Sequence, residues 1–420
     1  MTKQKIVAGI DIGSSKTSTV IASLVKEEGV KIIGVASITS RGMRKGQIVN
    51  IEEATQSVIE SVEAAERMAG YHIGQLLVAI GGAHIASQNS TGVVAVAEPE
   101  REISNDDVAR VIEAARAISL PSSREIIHVL PRHYTVDGQE GIKDPVGMSG
   151  IRLEVETNII TGSTTATRNL TKCVDEVGAN AQSLVAGGLA GAESVLTETE
   201  KELGVVLVDI GGGTTTIMIY VEGGPFYTSV LPIGAKNVTN DLAIGLRLSL
   251  ESAEKIKVAF KKKAKEEKKE EEISLAALGI PEEKRTVSRK TLVEGIIRPR
   301  LSEIFTMVGA EIQKSEAGGL TPSGVVICGG GAQTVGVVDA AKRTLAMPVR
   351  IGKPHGVSGL IDDIQTPDYA VATGLVLYAA KNEIKPTASF SLGRIGKNLQ
   401  RIPVKGVASK ALKLIKSFLP

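Results

Sequence analysis

The sequence predicts an α/β protein made of two related lobes that face each other. Three observations carry this expectation. First, residues 5–21 (KIVAGIDIGSSKTSTVI) and 204–220 (GVVLVDIGGGTTTIMIY) are the same unit written twice: a β-branched strand, Asp-Ile-Gly, a small hydroxyl-rich turn and a second strand. Second, residues 325–333 (VVICGGGAQ) read as another buried strand running into a glycine turn. Third, helical and strand patterns alternate along the 420 residues, as they do where helices cover a sheet. A duplicated hairpin at that spacing points to duplicated lobes.

The remaining elements follow in chain order. Residues 51–69 have helical spacing, with Asn50 as N-cap. Residues 76–80 form a short buried strand ending at Gly81-Gly82. Residues 104–117 form a helix capped by Ser104, with Asp106 and Asp107 at the positive end of its dipole. Residues 126–134 and 151–161 are strands flanking the glycine-rich loop 137–150. Residues 169–177 and 184–196 are helices, and another begins at about Thr334 after the strand 325–328. The segment 261–272 (KKKAKEEKKEEE) reads as a solvated helix end or loop. Its i,i+4 pairs contribute only about 0.2–0.5 kcal/mol each.

Composition excludes several functions. Aromatic residues are 3% and Trp is absent, so base-stacking nucleic-acid platforms are not expected. Cys173 and Cys328 alone make neither a disulfide framework nor a metal site. The five histidines have no metal-ligand spacing and read as structural. The N-terminal apolar run stops at Asp11, too short for a secretion signal. The uncharged stretch 317–338 contains Pro322 and many glycines and is rejected as a membrane span.

The charge is divided unevenly. The net value is +2, but residues 1–383 hold 41 basic against 47 acidic side chains, and the eight ionisable side chains after Glu383 are all basic. In that tail, residues 408–420 wind into an amphipathic helix. Leu412, Ile415, Phe418 and Leu419 share one face, and Lys410, Lys413 and Lys416 the other. A terminal helix docked on the protein's own core would explain the apolar face but not the lysines. An in-plane anchor on an anionic membrane explains both, with each lysine adding roughly 1 kcal/mol. Residues 384–407 read as a flexible tether.

The chemistry concentrates at the glycine turns. A tight turn between strands aims successive backbone N–H groups into one concavity, and glycine lets an anion come close. Candidate phosphate-binding residues are therefore Asp11, Gly13, Ser14, Ser15 and Lys16 in the first turn. Those in the second are Asp209, Gly211, Gly212, Gly213, Thr214 and Thr215, with Gly329, Gly330 and Gly331 placed to pass near a nucleoside. Lys16 has the neighbours to reach a phosphate, though a surface lysine beside a turn is an equal alternative. Asp11 and Asp209, at strand ends, are placed to hold the water shell of Mg²⁺. No GxxxxGK[ST] occurs, so this is not a Walker A loop.

Taken together, the two turns and residues 325–333 resemble the phosphate and adenosine loops of the actin/Hsp70/sugar-kinase superfamily. Residues 253–257 (AEKIK) resemble the stretch by which bacterial actins touch ribose and adenine, implicating Glu254 and Lys257. Within the superfamily the chain is most similar to the bacterial FtsA family. SRGMRKG at 40–46, IHVLPRHY at 127–134, QEGIKDPVGMSG at 139–150, LTETEKELG at 196–204 and VRIGKPHGVSG at 349–359 carry that resemblance.

The resemblance implies a two-lobed, actin-like (ribonuclease H-like) ATPase fold. A subdomain 1C replaces actin's 1B, and an amphipathic helix ends the chain. Subdomain 1A would comprise residues 1–82 and 162–195, with 1C at 83–161. Subdomain 2A would comprise 196–232 and, with a return to 1A, 303–383; 2B would lie at 233–302. It also implies ATP with Mg²⁺ as cofactors, self-association into filaments, and a place on the cytoplasmic face of the inner membrane at the division septum. The FtsZ C-terminal peptide would dock on 2B through Arg300, and later division proteins would meet 1C. For Arg300, an ordinary helix-surface arginine is the alternative. A metabolite kinase and a pilus-assembly ATPase-like adaptor are the competing functions. Hydrolysis is expected to be weak or absent, because residues 185–189 (VAGGL) offer no Gln or Glu to orient water.

Overall fold

The computed structural model describes residues 5–25, 29–97, 102–263, 272–276, 280 and 286–382. The proposed anchor residues (Lys410, Leu412, Lys413, Ile415, Lys416, Phe418 and Leu419) and the tether lie outside the described residues, as does most of the charged segment 261–272.

The duplication extends well beyond the hairpins. In the first lobe Lys5–Ile12 pairs antiparallel with Lys16–Val25, which pairs antiparallel with Gly29–Thr39. On the other side Lys5–Ile12 pairs parallel with Gln75–Ile80, and that strand with Asn180–Ala186. The second lobe repeats the same five-strand order: Val349–Ile351, Val325–Cys328, Val205–Ile210, Thr215–Val221 and Gly224–Leu231, with the same directions. The central strands are buried on both faces, which is why they read as continuous Val/Ile/Leu runs and not as alternations.

Between the fourth and fifth strands of the first lobe the chain leaves to build an insert. Ala86–Ala95, Arg152–Ser163, Arg124–Val136 and Gln139–Ile142 form its sheet, and Asn105–Arg116 covers it. A separate core of Ile103, Val111, Ala115, Tyr134, Val136, Leu153 and Val155 holds it together. The insert's sheet adds to the edge of the second lobe through the pairing of Ala86 with Ser229. Ser87 Oγ also accepts a bond from the Thr228 N–H at 2.7 Å.

The caps are those the sequence signalled. Asn50 accepts from Glu53 N at the start of Ile51–Ala69. Ser104 and Asp107 close a reciprocal capping box on Asn105–Arg116. Asp107 is 1% exposed, accepts from Ser104 and Ala97, and is paired with Arg110. The Ser104 hydroxyl above all holds its carboxyl well below the usual carboxylate range. A depressed carboxylate stabilises the fold above its ordinary pKa and loses that contribution as pH falls. Asp107→Ala is therefore expected to cost about 2 kcal/mol near neutral pH. Denaturant unfolding at pH 7 and pH 3 should show the gap to wild type narrowing at the lower pH.

Several boundaries differ from expectation. Residues 184–186 extend a strand that pairs with Gln75–Ile80, and the helix is Gly187–Val195. A short buried apolar run fits either element, and the parallel neighbour decided it. The helix expected at 169–177 is Thr164–Asp175, capped by Ser163. The loop 137–150 contains the strand Gln139–Ile142. After Cys328 comes a 3-10 turn, Gly330–Gln333, and the α-helix waits until Val337 because Gly336 takes φ 77°. Thr291–Ile297 is a π-helix leading into Arg298–Lys314. Pro299 has no N–H for the carbonyl one turn back, so the wider winding relieves that end.

Candidate functional site

The two duplicated turns close in the same way. Gly13 N–H donates to Lys16 O at 3.0 Å, and Gly211 N–H to Thr214 O at 2.8 Å. They also meet across the interlobe cleft: a Cβ on Gly212 would lie 1.9 Å from Ser15 Oγ, so only glycine allows this approach. Around them is a cavity of about 290 Å³.

Most of the residues anticipated from the sequence line this cavity. The first turn contributes Asp11, Gly13, Ser14, Ser15 and Lys16, and the second Asp209, Gly211, Gly212 and Thr214. Gly329, Gly330 and Gly331 form one wall, and Glu254 and Lys257 reach it from Leu250–Lys263. Gly213 and Thr215 stand outside the lining. Gly213 backs onto Ser14, and the buried Thr215 hydroxyl donates to Ile233 O at 2.8 Å.

Burial dominates the electrostatics. Asp11 is pushed up to about 6 by desolvation, partly countered by Lys16. Asp209 is pushed up to about 7 by desolvation and then by the nearby Asp11 charge, again countered by Lys16. Two desolvated carboxylates held beside one another form a donor set suited to a hydrated divalent cation that completes its shell with water and phosphate. Among the described residues no group of three or more His, Cys, Asp or Glu could hold a metal.

Sequence reasoning missed four groups at this site. Asp368 receives Lys16 Nζ at 2.6 Å and Gln333 Nε2 at 2.5 Å, and Lys16 also sits 3.8 Å over the Tyr369 ring. Gly46 N–H donates to Ser14 Oγ at 2.8 Å. Lys236 Nζ donates to Ser14 O at 2.6 Å. Gln333 stood within the recognised VVICGGGAQ stretch, Gly46 closes the SRGMRKG stretch, and Asp368 begins a segment whose resemblance is to the superfamily's second connecting helix; Lys236 belongs to no motif. Glu254 and Lys257 pair with each other at 2.7 Å, and Lys257 also donates to Thr239 Oγ1 at 2.8 Å.

Arg300 lies away from the cavity, on Arg298–Lys314. Its guanidinium grips Asp241 with two bonds, at 2.5 and 2.9 Å, and also meets Glu303. This ties its helix to Ala235–Leu246. His72 lies against Glu66 and His133 against Glu156, His84 Nδ1 accepts from Ser163 N–H, and His128 Nε2 accepts from Ala186 N–H at 3.0 Å, where burial lowers its pKa to about 4. Both cysteines are buried and free. Among the described residues no helix is long and apolar enough to cross a membrane.

Comparison with known proteins agrees with this architecture. Residues 82–161 match the family model of the SHS2 domain inserted in FtsA, and residues 206–374 that of cell division protein FtsA. The cell division protein FtsA of Pseudomonas aeruginosa is 40% identical over 380 residues, 90% of each chain. That of Escherichia coli K12 is 35% identical, covering 92% of this chain and 93% of its own. The Bacillus subtilis protein is 36% identical, at 91% and 85% coverage. Among solved structures, the PilM-PilN type IV pilus biogenesis complex matches with a TM-score of 0.62 at 18% identity, covering 90% of this chain and 99% of that one. MreB5 of Spiroplasma citri bound to ADP matches with 0.51 at 14% identity, covering 91% and 98%. The fold is thus actin-like with an SHS2 insertion, and the chain belongs to the FtsA family of cell division proteins.

Proposed function

We propose that the chain is an ATP-binding division adaptor that polymerises on the inner face of the cytoplasmic membrane at the septum and tethers FtsZ filaments there. The cavity carries this reading: three glycine turns converge on it beside two desolvated carboxylates. In it, the turns at 11–16 and 209–214 hold the phosphates, Asp11 and Asp209 hold Mg²⁺ through its water shell, and Gly329–Gly331 with Glu254 and Lys257 cradle the nucleoside. Fold relatives solved with ADP and with AMPPNP support a nucleotide there. Hydrolysis is weak, because the helix Gly187–Val195 offers no carboxylate or amide in its first turn. Glu193, further along, is spent on Lys201 and Lys381.

The tail 408–420 anchors the chain. Its apolar face enters the lipid and its lysines meet anionic headgroups, and polymerisation multiplies many weak anchors through avidity. A carboxylate of the FtsZ tail competes with Asp241 for Arg300, and the insert receives later division proteins. The kinase and pilus-adaptor alternatives are disfavoured by the extent of the FtsA match. Co-sedimentation with anionic liposomes tests the whole reading. Wild type with ATP and Mg²⁺ is expected to pellet, and to carry the FtsZ tail peptide with it. Deleting residues 408–420 should leave it in the supernatant; pelleting of the deletion at the wild-type level would contradict the anchor.

A further inference from the structure

The cavity is lined by three ammonium groups, and two of them are already neutralised. Lys16 is paired with Asp368 at 2.6 Å, and Lys257 with Glu254 at 2.7 Å. Lys236 is different. Its Nζ gives a proton to the Ser14 carbonyl at 2.6 Å, and among the described residues no carboxylate lies within ion-pair distance. The residue is exposed to the solvent of the cleft, and partial desolvation lowers its pKa, opposed by the charge of Glu254 and reinforced by that of Lys257. An ammonium on the cavity wall that donates to a neutral carbonyl, with no ion pair to break, can exchange that acceptor for an anion. It is the charge this cavity holds in reserve for an anion.

Its placement is specific. The backbone of Lys236 is bolted to the second turn: Ala235 N–H donates to Gly211 O at 2.9 Å and Lys236 N–H to Gly212 O at 2.8 Å. Its side chain then crosses the cleft to the first turn at Ser14. The residue therefore spans both turns at the point where they converge, and it lines the cavity together with Gly13, Ser15 and Thr214.

We propose that Lys236 is the specificity-determining residue for the distal phosphate of a nucleoside triphosphate. This rests on the nucleotide reading of the cavity given above. Without ligand, Lys236 clasps the two turns through Ser14 O. When a triphosphate lies between the turns, a phosphate oxygen, being anionic, displaces the neutral carbonyl as acceptor, since hydrogen bonds between charged partners are about twice as strong. A diphosphate ends short of the convergence and leaves the clasp on Ser14. The lysine thereby distinguishes the two ligands by which oxygen it holds.

The test is direct binding, not turnover. Dissociation constants for AMPPNP and for ADP are measured by calorimetry with Mg²⁺ on the full chain, for wild type, Lys236→Met and Lys236→Arg, with thermal melts of each to establish folding. Lys236→Met is expected to weaken AMPPNP about tenfold or more, the equivalent of one charged hydrogen bond, while ADP changes much less. Lys236→Arg keeps the charge and should recover most of the discrimination. Equal weakening of both ligands, or no weakening of AMPPNP, overturns the proposal. A folded wild type that binds neither nucleotide overturns instead the reading on which it rests.

Discussion

Gly374→Val is expected to destabilise the protein by about 3 kcal/mol or more, at the upper end of what overpacking a core costs. Gly374 lies in the helix Ala370–Lys381, which crosses Gly187–Val195 between the two lobes. A Cβ at this position would fall 1.7 Å from the Ala190 carbonyl oxygen and 2.4 Å from its carbon. Backbone cannot rotate aside as a side chain can. Nor can either helix retreat. Leu375, the next residue, packs on the bare face of Gly9 in the first lobe's central strand, and Gly188 of the partner helix packs on Thr216 and Met218 of the second. Denaturant midpoints of the purified chain check this. The exposed Gly295, with nothing within 4 Å of its Cβ position, is the control, and Gly295→Ala should leave stability essentially unchanged. A Gly374→Val midpoint as high as that of the control would refute the packing argument.

Asp209→Asn is expected to act in opposite directions on the empty and the loaded protein. Burial and then the neighbouring Asp11 raise Asp209 from the ordinary aspartate value of 3.8 to about 7. A carboxyl whose folded pKa is raised binds more protons folded than unfolded. Stability of the nucleotide-free protein therefore falls as pH rises from about 4 towards 7, and above that the full cost of the buried charge is present. Asparagine carries no such charge and also relieves Asp11. The variant should melt higher than wild type at pH 8, with the advantage shrinking as pH is lowered to 5. Its Mg²⁺-dependent gain in nucleotide affinity should fall about tenfold, the scale of one lost charged contact. Parallel melts across this pH range, with and without Mg²⁺–AMPPNP, separate the two effects. A variant less stable than wild type at pH 8 without ligand would show that burial does not strain this carboxylate.

These two predictions draw on different levels of information. Asp209 was legible because its whole setting is local: a β-branched strand, the acid at its end, and a glycine-hydroxyl turn written twice in the chain. Gly374 was not, since a glycine inside an apolar helix carries no signal about the carbonyl it must avoid. The same holds at the cavity. The turn residues could be picked out, but Lys236 reaches Ser14 across 222 positions and Asp368 reaches Lys16 across 352. Arg300 was singled out by resemblance, but its hold on Asp241, 59 positions earlier, was not.

The sequence by itself determined the strands of the duplicated hairpins and their burial, the caps at Asn50 and Ser104, the duplicated turns and the uneven charge of body and tail. Each follows from residues a few positions apart, where backbone geometry and periodicity act directly. Only the tertiary structure decided which charges face which. It left Lys16 and Lys257 neutralised and Lys236 in reserve, and joined the insert's sheet to the second lobe. Ion pairs and ladder edges form wherever folding brings groups together, and that depends on the packing of whole lobes, which no local pattern encodes.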